Sequence, residues 1–397
     1  MSGAPPAAPG SSRPSESRRK ASAVASRAIG LARPFGVAVA LVLGTAATVE
    51  LHLEARDRAR MSAGQTFLDV RGRKIRYRLV GQDRPGPTIA LLSGYTSGIE
   101  QWRLGQARLS AIAPVLTYDR AGTGLSDPSE GHDAASEAEE LASFATLGGV
   151  QRRFVVVGYS SSGLIARAFA RLYPDLVAGL VFLDVTTPEE IAASAWRDVY
   201  ARRVLYERVA LMSMAKSAFG WMRLRHSLLG GPRPDTPEDE RSSAVLEMAS
   251  HWWAVYQEGA AIAQSAEEAK LDWSNVTVPI AVLSLGSEDG PKDSRDRYRW
   301  QRGMAEAAKA TFVHHPEWKH SQISEDPAVV AQVAELISGV VDRSVDRTST
   351  VASRPSGEGT IEKIVQPLDV VDGRRVDVPA VPGARHDPAL RPGGGSL

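Results

Sequence analysis

Short apolar runs alternate with longer amphipathic segments through the middle of the chain. The apolar runs have the length of strands and carry almost no polar positions, so we expect a sheet that is buried on both faces. The predicted buried strands are Pro87–Leu92, Pro114–Tyr118, Phe154–Val157, Leu180–Leu183, Ile280–Leu285 and Thr311–Val313. The predicted helices that follow some of them are Asp133–Leu147, Leu164–Tyr173 and Pro327–Val341.

Strands that alternate with helices predict an α/β fold with a doubly wound, mostly parallel sheet. Ahead of it, Thr66–Val70 and Lys74–Leu79 alternate apolar and polar residues around Arg71-Gly72, which indicates a hairpin. The segment 185–277 has no strand pattern and is rich in aromatic residues and methionine. We expect it to form a helical cap above the C-terminal edge of the sheet, where such folds carry their sites.

Both ends of the chain differ in composition from this middle part. Residues 66–342 are the predicted folded domain, and their length suits a single α/β domain that carries an insertion. Residues 1–33 are basic and rich in Ala, Pro and Ser, and residues 345–397 are dominated by Pro, Gly, Arg, Asp and Ser. Such segments bury too little apolar surface to offset chain entropy, so both are predicted to be disordered.

Residues 34–53 contain an apolar segment that could reach a membrane. No charged residue occurs from Pro34 to Val49, and basic residues dominate the sequence before it. This asymmetry favours a single-pass signal anchor with a cytoplasmic N-terminus and an exported folded domain. The alternatives are a cleaved signal peptide, which would give a secreted protein, an interfacial helix, or a soluble helix lying on the domain.

The composition excludes several kinds of chemistry. The chain has 47 basic and 46 acidic residues and a net charge of +1, which argues against nucleic acid as a partner. It has no cysteine, so disulfides, thiolate catalysis and cysteine-based zinc sites are excluded.

The most informative motif is the turn Gly158-Tyr159-Ser160-Ser161-Ser162-Gly163, which lies between a predicted strand and a predicted helix. A serine on such a sharp turn is the geometry of a nucleophile elbow, and the residues two before and two after it must be small. Only Ser160 meets this requirement, with Gly158 and Ser162 around it. The purely structural alternative is a serine-rich helix N-terminus, since serine caps helices well.

A serine hydroxyl needs a base to activate it and an acid to orient that base. The most plausible acid is Asp289, in the turn after the strand that ends at Leu285. Glu288 could replace it, and Asp184 is a more distant candidate after the preceding strand. The most plausible base is His320, which lies in the loop before the last helix. The rivals to His320 are His314 and His315.

An oxyanion formed at Ser160 also needs two preorganised donors. The backbone N–H of Ser161 lies at the start of the predicted helix, where the helix dipole favours negative charge. The second donor is expected in the turn Ser93-Gly94-Tyr95 after the first buried strand, and the N–H of Tyr95 is the natural choice.

These motifs together resemble the α/β-hydrolase superfamily in its capped form with a serine nucleophile. The resemblance covers about residues 66–342. Its landmarks are Leu92-Ser93-Gly94 with Trp102, the turn from Asp119 to Asp127, the Ser160 elbow, Gly286 with Asp289, and His320 with Glu325 and Pro327 after it. The chain departs from the family at Ser93, where histidine is usual, and at Ser162, where a smaller residue is usual. We read Asp119 and Ser126 as structural residues.

The resemblance implies a serine hydrolase that cleaves a carboxylic ester or related acyl substrate through an acyl-enzyme intermediate, without a cofactor or a metal ion. The apolar cap favours a small hydrophobic acyl substrate. Two alternatives remain open. The same residues could serve amide cleavage or lyase chemistry, or the chain could be a binding protein that kept the fold and lost the reaction.

Overall fold

The structure is a computed structural model that describes residues 16–147, 150, 153–193, 196–229 and 236–352. Its centre is one eight-stranded sheet in the order β1-β2-β4-β3-β5-β6-β7-β8. The strands are β1 (Thr66–Val70), β2 (Arg73–Val80), β3 (Thr88–Leu92), β4 (Val115–Tyr118), β5 (Phe154–Tyr159), β6 (Val177–Leu183), β7 (Ile280–Ser284) and β8 (Thr311–His314). Each agrees with a strand expected from the sequence to within a few residues.

Strand direction follows from the connections. β1 and β2 form the expected antiparallel hairpin, whose turn takes Arg71 and Gly72 through positive φ angles of 55° and 80°. β2 also pairs antiparallel with β4, and the remaining pairs from β4 to β8 are all parallel. Because the carboxyl ends of parallel strands meet at one edge, the loops after β3, β5, β6, β7 and β8 share that edge.

Helices cover both faces of the sheet, because neighbouring residues of each strand point to opposite sides. Val156 and Phe182 belong to one apolar core, and Val155 and Val181 belong to the other. The helices are α1 (Glu16–Ser62), α2 (Arg103–Leu109), α3 (Ala134–Ser143), α4 (Ser162–Leu172), α5 (Pro188–Ala193), α6 (Trp196–Ala218), α7 (Trp221–Leu229), α8 (Pro237–Val245), α9 (Ala249–Ala260), α10 (Ile262–Glu268), α11 (Lys292–Ala307), α12 (Gln322–Glu325) and α13 (Pro327–Ala352). Helices α3, α4 and α11 cover the first core, while α2 and α13 cover the second.

The cap lies between β6 and β7, where the described residues form α5 to α10 and no strand. Helix α6 packs along α9 and buries Ala210, Trp252 and Val255 in a cluster of their own. The aromatic residues of the insertion therefore serve partly as its internal core. The doubly wound, mostly parallel sheet with a helical insertion is the fold class that the sequence predicted.

Helix α1 is longer than the apolar segment that predicted it. Residues 16–33, expected to be disordered, form the first turns of α1, and residues 1–15 lie outside the described part of the chain. The correction has a simple cause: alanine, arginine and lysine are good helix formers, so the helix extends N-terminally beyond the apolar run. The stretch Gly36–Ser62 is long and apolar enough to span a membrane, and only 6% of its apolar window is buried.

The last helix, α13, also extends beyond its predicted end. Helix α13 continues to Ala352, so residues 345–352 of the predicted tail are helical. The remainder of that tail, residues 353–397, lies outside the described residues.

Candidate active site

Ser160 lies on a strained turn between β5 and α4. Its φ angle is +58°, a value that residues with a side chain seldom adopt. The turn is tight on both sides: a Cβ added to Gly158 would lie 3.0 Å from the Cα of Gly163, and one added to Gly163 would lie 2.5 Å from the Cβ of Val185. The two glycines therefore allow the close approach of strand, helix and neighbouring loop on which the elbow depends.

Ser162, which departs from the family pattern, hydrogen-bonds across the elbow. Its buried hydroxyl accepts from the Tyr159 N–H at 2.9 Å and lies 2.8 Å from the Tyr159 carbonyl and 3.1 Å from the Leu92 carbonyl. This hydroxyl thus links the elbow to the end of β3, a connection that a glycine could not make.

His320 lies beside the elbow in the loop between β8 and α12. Its ring stacks on the Tyr159 ring, with the ring centres 4.6 Å apart and the planes at 20°. The Tyr159 hydroxyl donates to the His320 carbonyl at 2.9 Å, which fixes the backbone of the same loop. Because Tyr159 directly precedes Ser160, these contacts bring the imidazole to the nucleophile turn.

The acid that contacts His320 is Asp184. Its Oδ2 lies 2.6 Å from Nδ1 of His320, and its side chain is only 1% exposed. Asp184 follows β6 directly and has a φ angle of +45°. The Ser160 N–H donates to the Leu183 carbonyl and the Thr186 N–H donates to the Ser160 carbonyl, so the segment that carries Asp184 runs beside the elbow.

This geometry corrects the expectation for the acid. Asp289 is exposed in the turn after β7, where the Gly290 N–H bonds back to the Ser287 carbonyl. Glu288, its expected substitute, is exposed in the same turn. The acidic side chains of the turn after β7 lie in solvent. Asp184, in contrast, directly follows β6, so its side chain stays at the buried edge of the sheet. The candidate ranked lower from the sequence is therefore the one paired with His320.

Two residues of α11 hold the Asp184 carboxylate from the other side. Arg297 Nη1 lies 3.1 Å from Oδ2, and Gln301 Nε2 lies 3.1 Å from Oδ1. Burial alone would raise the pKa of the Asp184 carboxyl, but the hydrogen bond from His320 and the charge of Arg297 hold that pKa below its ordinary value. Asp184 is thus ionised and fixed in orientation. Nothing in the sequence indicated Arg297 or Gln301, which lie one helical turn apart on α11.

The expected oxyanion residues lie on either side of Ser160. Ser161 is the N-cap residue of α4, and the N–H groups at the start of a helix lack partners within the helix. A Cβ added to Gly94 would lie 3.3 Å from the Ser160 Cβ, which brings the loop of Tyr95 against the nucleophile. The Tyr95 hydroxyl donates to the Val255 carbonyl at 2.7 Å and so attaches this loop to cap helix α9.

Arg120 holds the backbone of the loop after β3, which contains Tyr95. Its Nη1 donates to the Ser93 carbonyl at 2.7 Å and its Nη2 to the Gly94 carbonyl at 3.3 Å. The Ser93 hydroxyl, which stands where the family usually has histidine, closes the loop by donating to the Gly98 carbonyl at 2.9 Å. Sequence reasoning missed Arg120, although it follows Asp119 in the recognised turn.

Asp119 and Ser126 have the structural roles expected of them. The Asp119 carboxylate accepts from the N–H groups of Ile99 and Leu125 and pairs with Arg76 at 3.1 Å. The Ser126 hydroxyl donates to the Asp119 carbonyl at 2.6 Å. These bonds hold the glycine-rich turn against the loop after β3.

A buried charged cluster lies directly behind the candidate oxyanion loop. His132, Glu137 and Glu258 bring possible metal-ligand atoms within 4.8 Å of one another, beside a cavity of about 30 Å³ that Tyr95 and Ser161 also line. Arg120 already provides a cation there, at 2.9 Å from Glu258 and 3.4 Å from Glu137. Burial and then the nearby Glu258 charge raise the pKa of Glu137 well above its ordinary value. A guanidinium and a proton therefore supply the positive charge that this cluster needs.

A larger cavity of about 410 Å³ opens between the cap and the edge of the sheet. It is lined by Thr96 and Gln101 after β3, by Ser242 and Leu246 of the cap, and by Ser324 of α12. Thr96 adjoins Tyr95, and Ser324 follows His320 by four residues. The cavity thus borders both loops of the candidate site, although neither Ser160 nor His320 is part of its lining.

Comparisons with known proteins agree with this architecture. Residues 89–333 match a model described as the Alpha/beta hydrolase family. RutD of Cronobacter sakazakii, a candidate carbamate hydrolase, is 30% identical over 115 residues, which cover 28% of this chain and 41% of the relative. The 2-(acetamidomethylene)succinate hydrolase of Mesorhizobium japonicum is 26% identical over 207 residues, 50% of this chain and 70% of the relative. The chain spans about two fifths of the length of the first curated relatives that it matches.

Solved structures show the same fold. A thermophilic esterase from Thermogutta terrifontis superposes with a TM-score of 0.50 at 21% identity, over 70% of this chain and 98% of the esterase. A candidate epoxide hydrolase from Pseudomonas aeruginosa superposes with a TM-score of 0.51 at 18% identity, over 70% and 97% of the two chains. The family match covers more than half of the sequence, and we conclude that the chain belongs to the alpha/beta hydrolase family.

Proposed function

We propose that this chain is a serine hydrolase that cleaves a carboxylic ester or a related acyl substrate through an acyl-enzyme intermediate. The observation that carries the proposal is the contact between His320 Nδ1 and Asp184 at 2.6 Å, with the same imidazole stacked beside the strained Ser160 turn. With Nδ1 occupied by the acid, Nε2 is the nitrogen left to receive the serine proton.

In the first half of the reaction, Ser160 Oγ attacks the substrate carbonyl carbon while its proton passes to Nε2 of His320. The tetrahedral intermediate then collapses: the bond from carbon to the leaving oxygen breaks, and the leaving alcohol takes the proton from Nε2. Asp184 stabilises the imidazolium while it exists. A water molecule repeats the sequence on the acyl-enzyme, so that the acid is released and Ser160 Oγ regains its proton.

The negative oxygen of each tetrahedral intermediate needs donors that are already in place. The backbone N–H groups of Ser161 and Tyr95 serve this role in the proposal. Arg120 contributes indirectly, because its bonds to the Ser93 and Gly94 carbonyls hold the loop next to Ser160. It is a positioning residue in this scheme and does not touch the substrate.

Covalent labelling tests the proposal directly. A fluorophosphonate probe should label the chain at Ser160, and Ser160→Ala should lose both the labelling and the turnover of a short-chain aryl ester. Ser161→Ala is the matched control, because it removes the neighbouring hydroxyl and keeps the backbone N–H. Full turnover in Ser160→Ala would refute the nucleophile assignment, and a folded chain that the probe does not label would support the binding-protein alternative.

Amide-type cleavage is a second candidate, which one comparison favours. The Mesorhizobium japonicum relative, which the chain matches over 207 residues, is a hydrolase whose name specifies an acetamido substrate. An ester and an amide with the same acyl group would separate the two, because the ester proposal expects turnover of the ester alone. The cavity of about 410 Å³ beside the cap has room for a small acyl substrate of either kind.

We further propose that α1 is a signal anchor that places the folded domain, about residues 66–342, outside the cytoplasmic membrane. The support is the uncharged stretch from Gly36 to Val49, its exposure, and the basic residues before it. Sequencing the N-terminus of the mature protein separates an anchor from a cleaved leader, since an anchored chain retains α1.

A further inference from the structure

Helix α7 of the cap is amphipathic, but its polar side faces the protein. Arg223 reaches Glu50 and Asp57 of α1 at 2.5 Å each, and His226 Nδ1 lies 2.9 Å from Glu247. No residue of α7 is buried. The helix is therefore held through charged contacts on its inner side.

The outer side of α7 is apolar and exposed. Trp221, Leu224 and Leu228 follow one another at intervals of three and four residues, which places them on one stripe of the helix. Their exposed fractions are 55%, 49% and 72%. A soluble helix turns such a stripe toward a core, so a stripe that faces outward indicates an interaction surface. Phe219, just before the helix, is 44% exposed and extends it. We call these four residues the outer cap face.

The outer cap face begins beside the point where α1 starts to pack against the folded domain. From Gly36 to Val49 no side chain of α1 is buried, and Glu50 is the first that is, at 3% exposure. A Cβ added to Gly220, the residue before Trp221, would lie 3.1 Å from Glu50 Oε2. Trp221 is thus close to the point at which the side chains of α1 change from exposed or half-buried to buried.

We propose that the outer cap face rests in the surface of the phospholipid bilayer that α1 crosses. The inference depends on the proposed anchor, because α1 fixes where the bilayer boundary would lie. The bilayer is the occupant that this geometry favours, since Gly220, next to Trp221, lies close to Glu50, where the exposed apolar stretch of α1 ends. Trp221 suits the headgroup region, and the exposed Arg225 suits anionic headgroups beside the apolar stripe.

This placement narrows the substrate class. Helix α6, which ends next to the outer cap face, packs through Ala210 and Met214 into the cluster that contains Tyr95 of the candidate oxyanion loop. The cap therefore joins the bilayer surface to the candidate active site. The substrate expected from this arrangement is an acyl ester dissolved in the bilayer, which enters the site from the lipid side.

The absence of native cysteine makes a depth measurement straightforward. Leu228→Cys in the full chain would carry an environment-sensitive fluorophore in nanodiscs of phosphatidylcholine and phosphatidylglycerol that contain nitroxide-labelled lipids. Glu335→Cys, on the exposed side of α13, is the control outside the cap, and Val42→Cys reports the anchor. We expect nitroxide quenching at Leu228→Cys to exceed that at Glu335→Cys by about three-fold or more.

The outcomes separate the two proposals. Quenching at Val42→Cys with only control-level quenching at Leu228→Cys would overturn the proposal for the outer cap face and keep the anchor. Control-level quenching at all three positions would overturn the anchor, and with it the proposed bilayer contact of the outer cap face. Strong quenching at both Val42→Cys and Leu228→Cys supports the inference.

Activity supplies a second, independent readout. The double variant Leu224→Asp with Leu228→Asp should hydrolyse a long-chain ester in the bilayer about ten-fold more slowly, because two apolar contacts with lipid are lost. Its turnover of a water-soluble short-chain ester should be unchanged. Equal rates for variant and parent on the bilayer ester would contradict the inference. A parent chain that hydrolyses neither ester would instead refute the proposed function, while the quenching result would still decide the membrane contact.

Discussion

Asp184 combines burial, charge and strain in one residue. Its carboxylate is almost fully enclosed and yet ionised, because His320, Arg297 and Gln301 supply three hydrogen bonds to its two oxygens. Its positive φ angle turns the side chain from the end of β6 toward the imidazole. Backbone strain of this kind persists where the surrounding structure over-determines it, and it is concentrated at functional sites.

Substitution of the two rival acids tests this assignment. Asp184→Asn keeps the shape of the side chain but removes the negative charge that orients and stabilises the imidazolium. We expect kcat for a short-chain ester to fall by about 10³- to 10⁴-fold, as for the acid of a serine triad. Asp289→Asn alters an exposed turn residue and should change kcat by less than about two-fold, within the range of ordinary surface substitutions. A large loss in Asp289→Asn together with a small loss in Asp184→Asn would reverse the assignment.

At the scale of elements, the junction of β5 with α4 is constrained by close backbone approach. Gly163 packs its Cα against Val185, one residue after Asp184, and a Cβ there would lie 2.5 Å from the Val185 Cβ. Such a short separation would require the loop after β6 to move. The position of the acid thus depends on a glycine in a different element.

Gly163→Ala should therefore lower both stability and activity. We expect a loss of about 1–3 kcal/mol in the free energy of unfolding, typical of overpacking, and a lower kcat because the Asp184 loop is displaced. Gly303→Ala is the matched control in the interior of α11, where a Cβ meets nothing within 4 Å. It should be neutral or more stable by about 0.5–1 kcal/mol. Chemical denaturation of both variants checks the pair, and equal stability for the two would contradict the steric argument.

Helix α3 carries two buried carboxyls on its inner side, Glu137 and Glu140. Burial raises the pKa of Glu140 to about 7, although Arg73 and the Ala121 N–H act in the opposite direction. Between its ordinary pKa and pH 7 the folded chain holds a proton that the unfolded chain has released. The free energy of unfolding therefore falls as pH rises through this window.

Glu140→Gln should remove that dependence. The amide keeps an oxygen for the Ala121 N–H, which Glu140 accepts at 3.1 Å, and it does not ionise. We compare the free energy of unfolding of the variant with that of the parent at two pH values. Between pH 4.5 and pH 8 this difference should shift in favour of the variant by about 3 kcal/mol. Thermal or urea unfolding across this range measures the difference. A parallel pH dependence in the two proteins would show that Glu140 is already ionised in the fold.

Elements were more predictable from the sequence than the contacts between them. The strands and the elbow follow from local periodicity and from the small residues around Ser160, which are visible in the sequence itself. The acid could not be fixed in this way, because Asp184 and Asp289 both follow a parallel strand and both are expected at the same edge. Only the length and bend of the loop after each strand decide which carboxylate meets His320.

Contacts between distant segments were invisible for the same reason. Arg120, Arg297 and Gln301 act on residues far from them in the chain, and no local pattern marks such partners. The prediction of disorder before α1 was wrong for a different reason. The composition of these residues suggested disorder, but their helix propensity favours a helix that begins at Glu16.

At the scale of the whole molecule, α1 and the cap are joined by polar contacts. Glu54 accepts from the Ala249 N–H and contacts the Ser250 hydroxyl, and Arg58 reaches Ser250 at 3.0 Å. With the contacts of Arg223, these bonds attach the C-terminal half of α1 to α7 and α9. A helix anchored in a membrane would thus hold the cap in a fixed position relative to that membrane.

The orientation of the chain across the membrane can be tested by labelling. The basic residues before Gly36 predict that the N-terminus stays in the cytoplasm and that the folded domain is exported. Because the chain has no cysteine, Ser274→Cys in the exposed turn before β7 and Ser22→Cys in the basic segment give two clean reporters. In spheroplasts, a membrane-impermeant maleimide should label Ser274→Cys directly, and Ser22→Cys only after detergent is added. Labelling in the opposite order would show that the folded domain faces the cytoplasm, and equal labelling of both without detergent would show that α1 does not span the membrane.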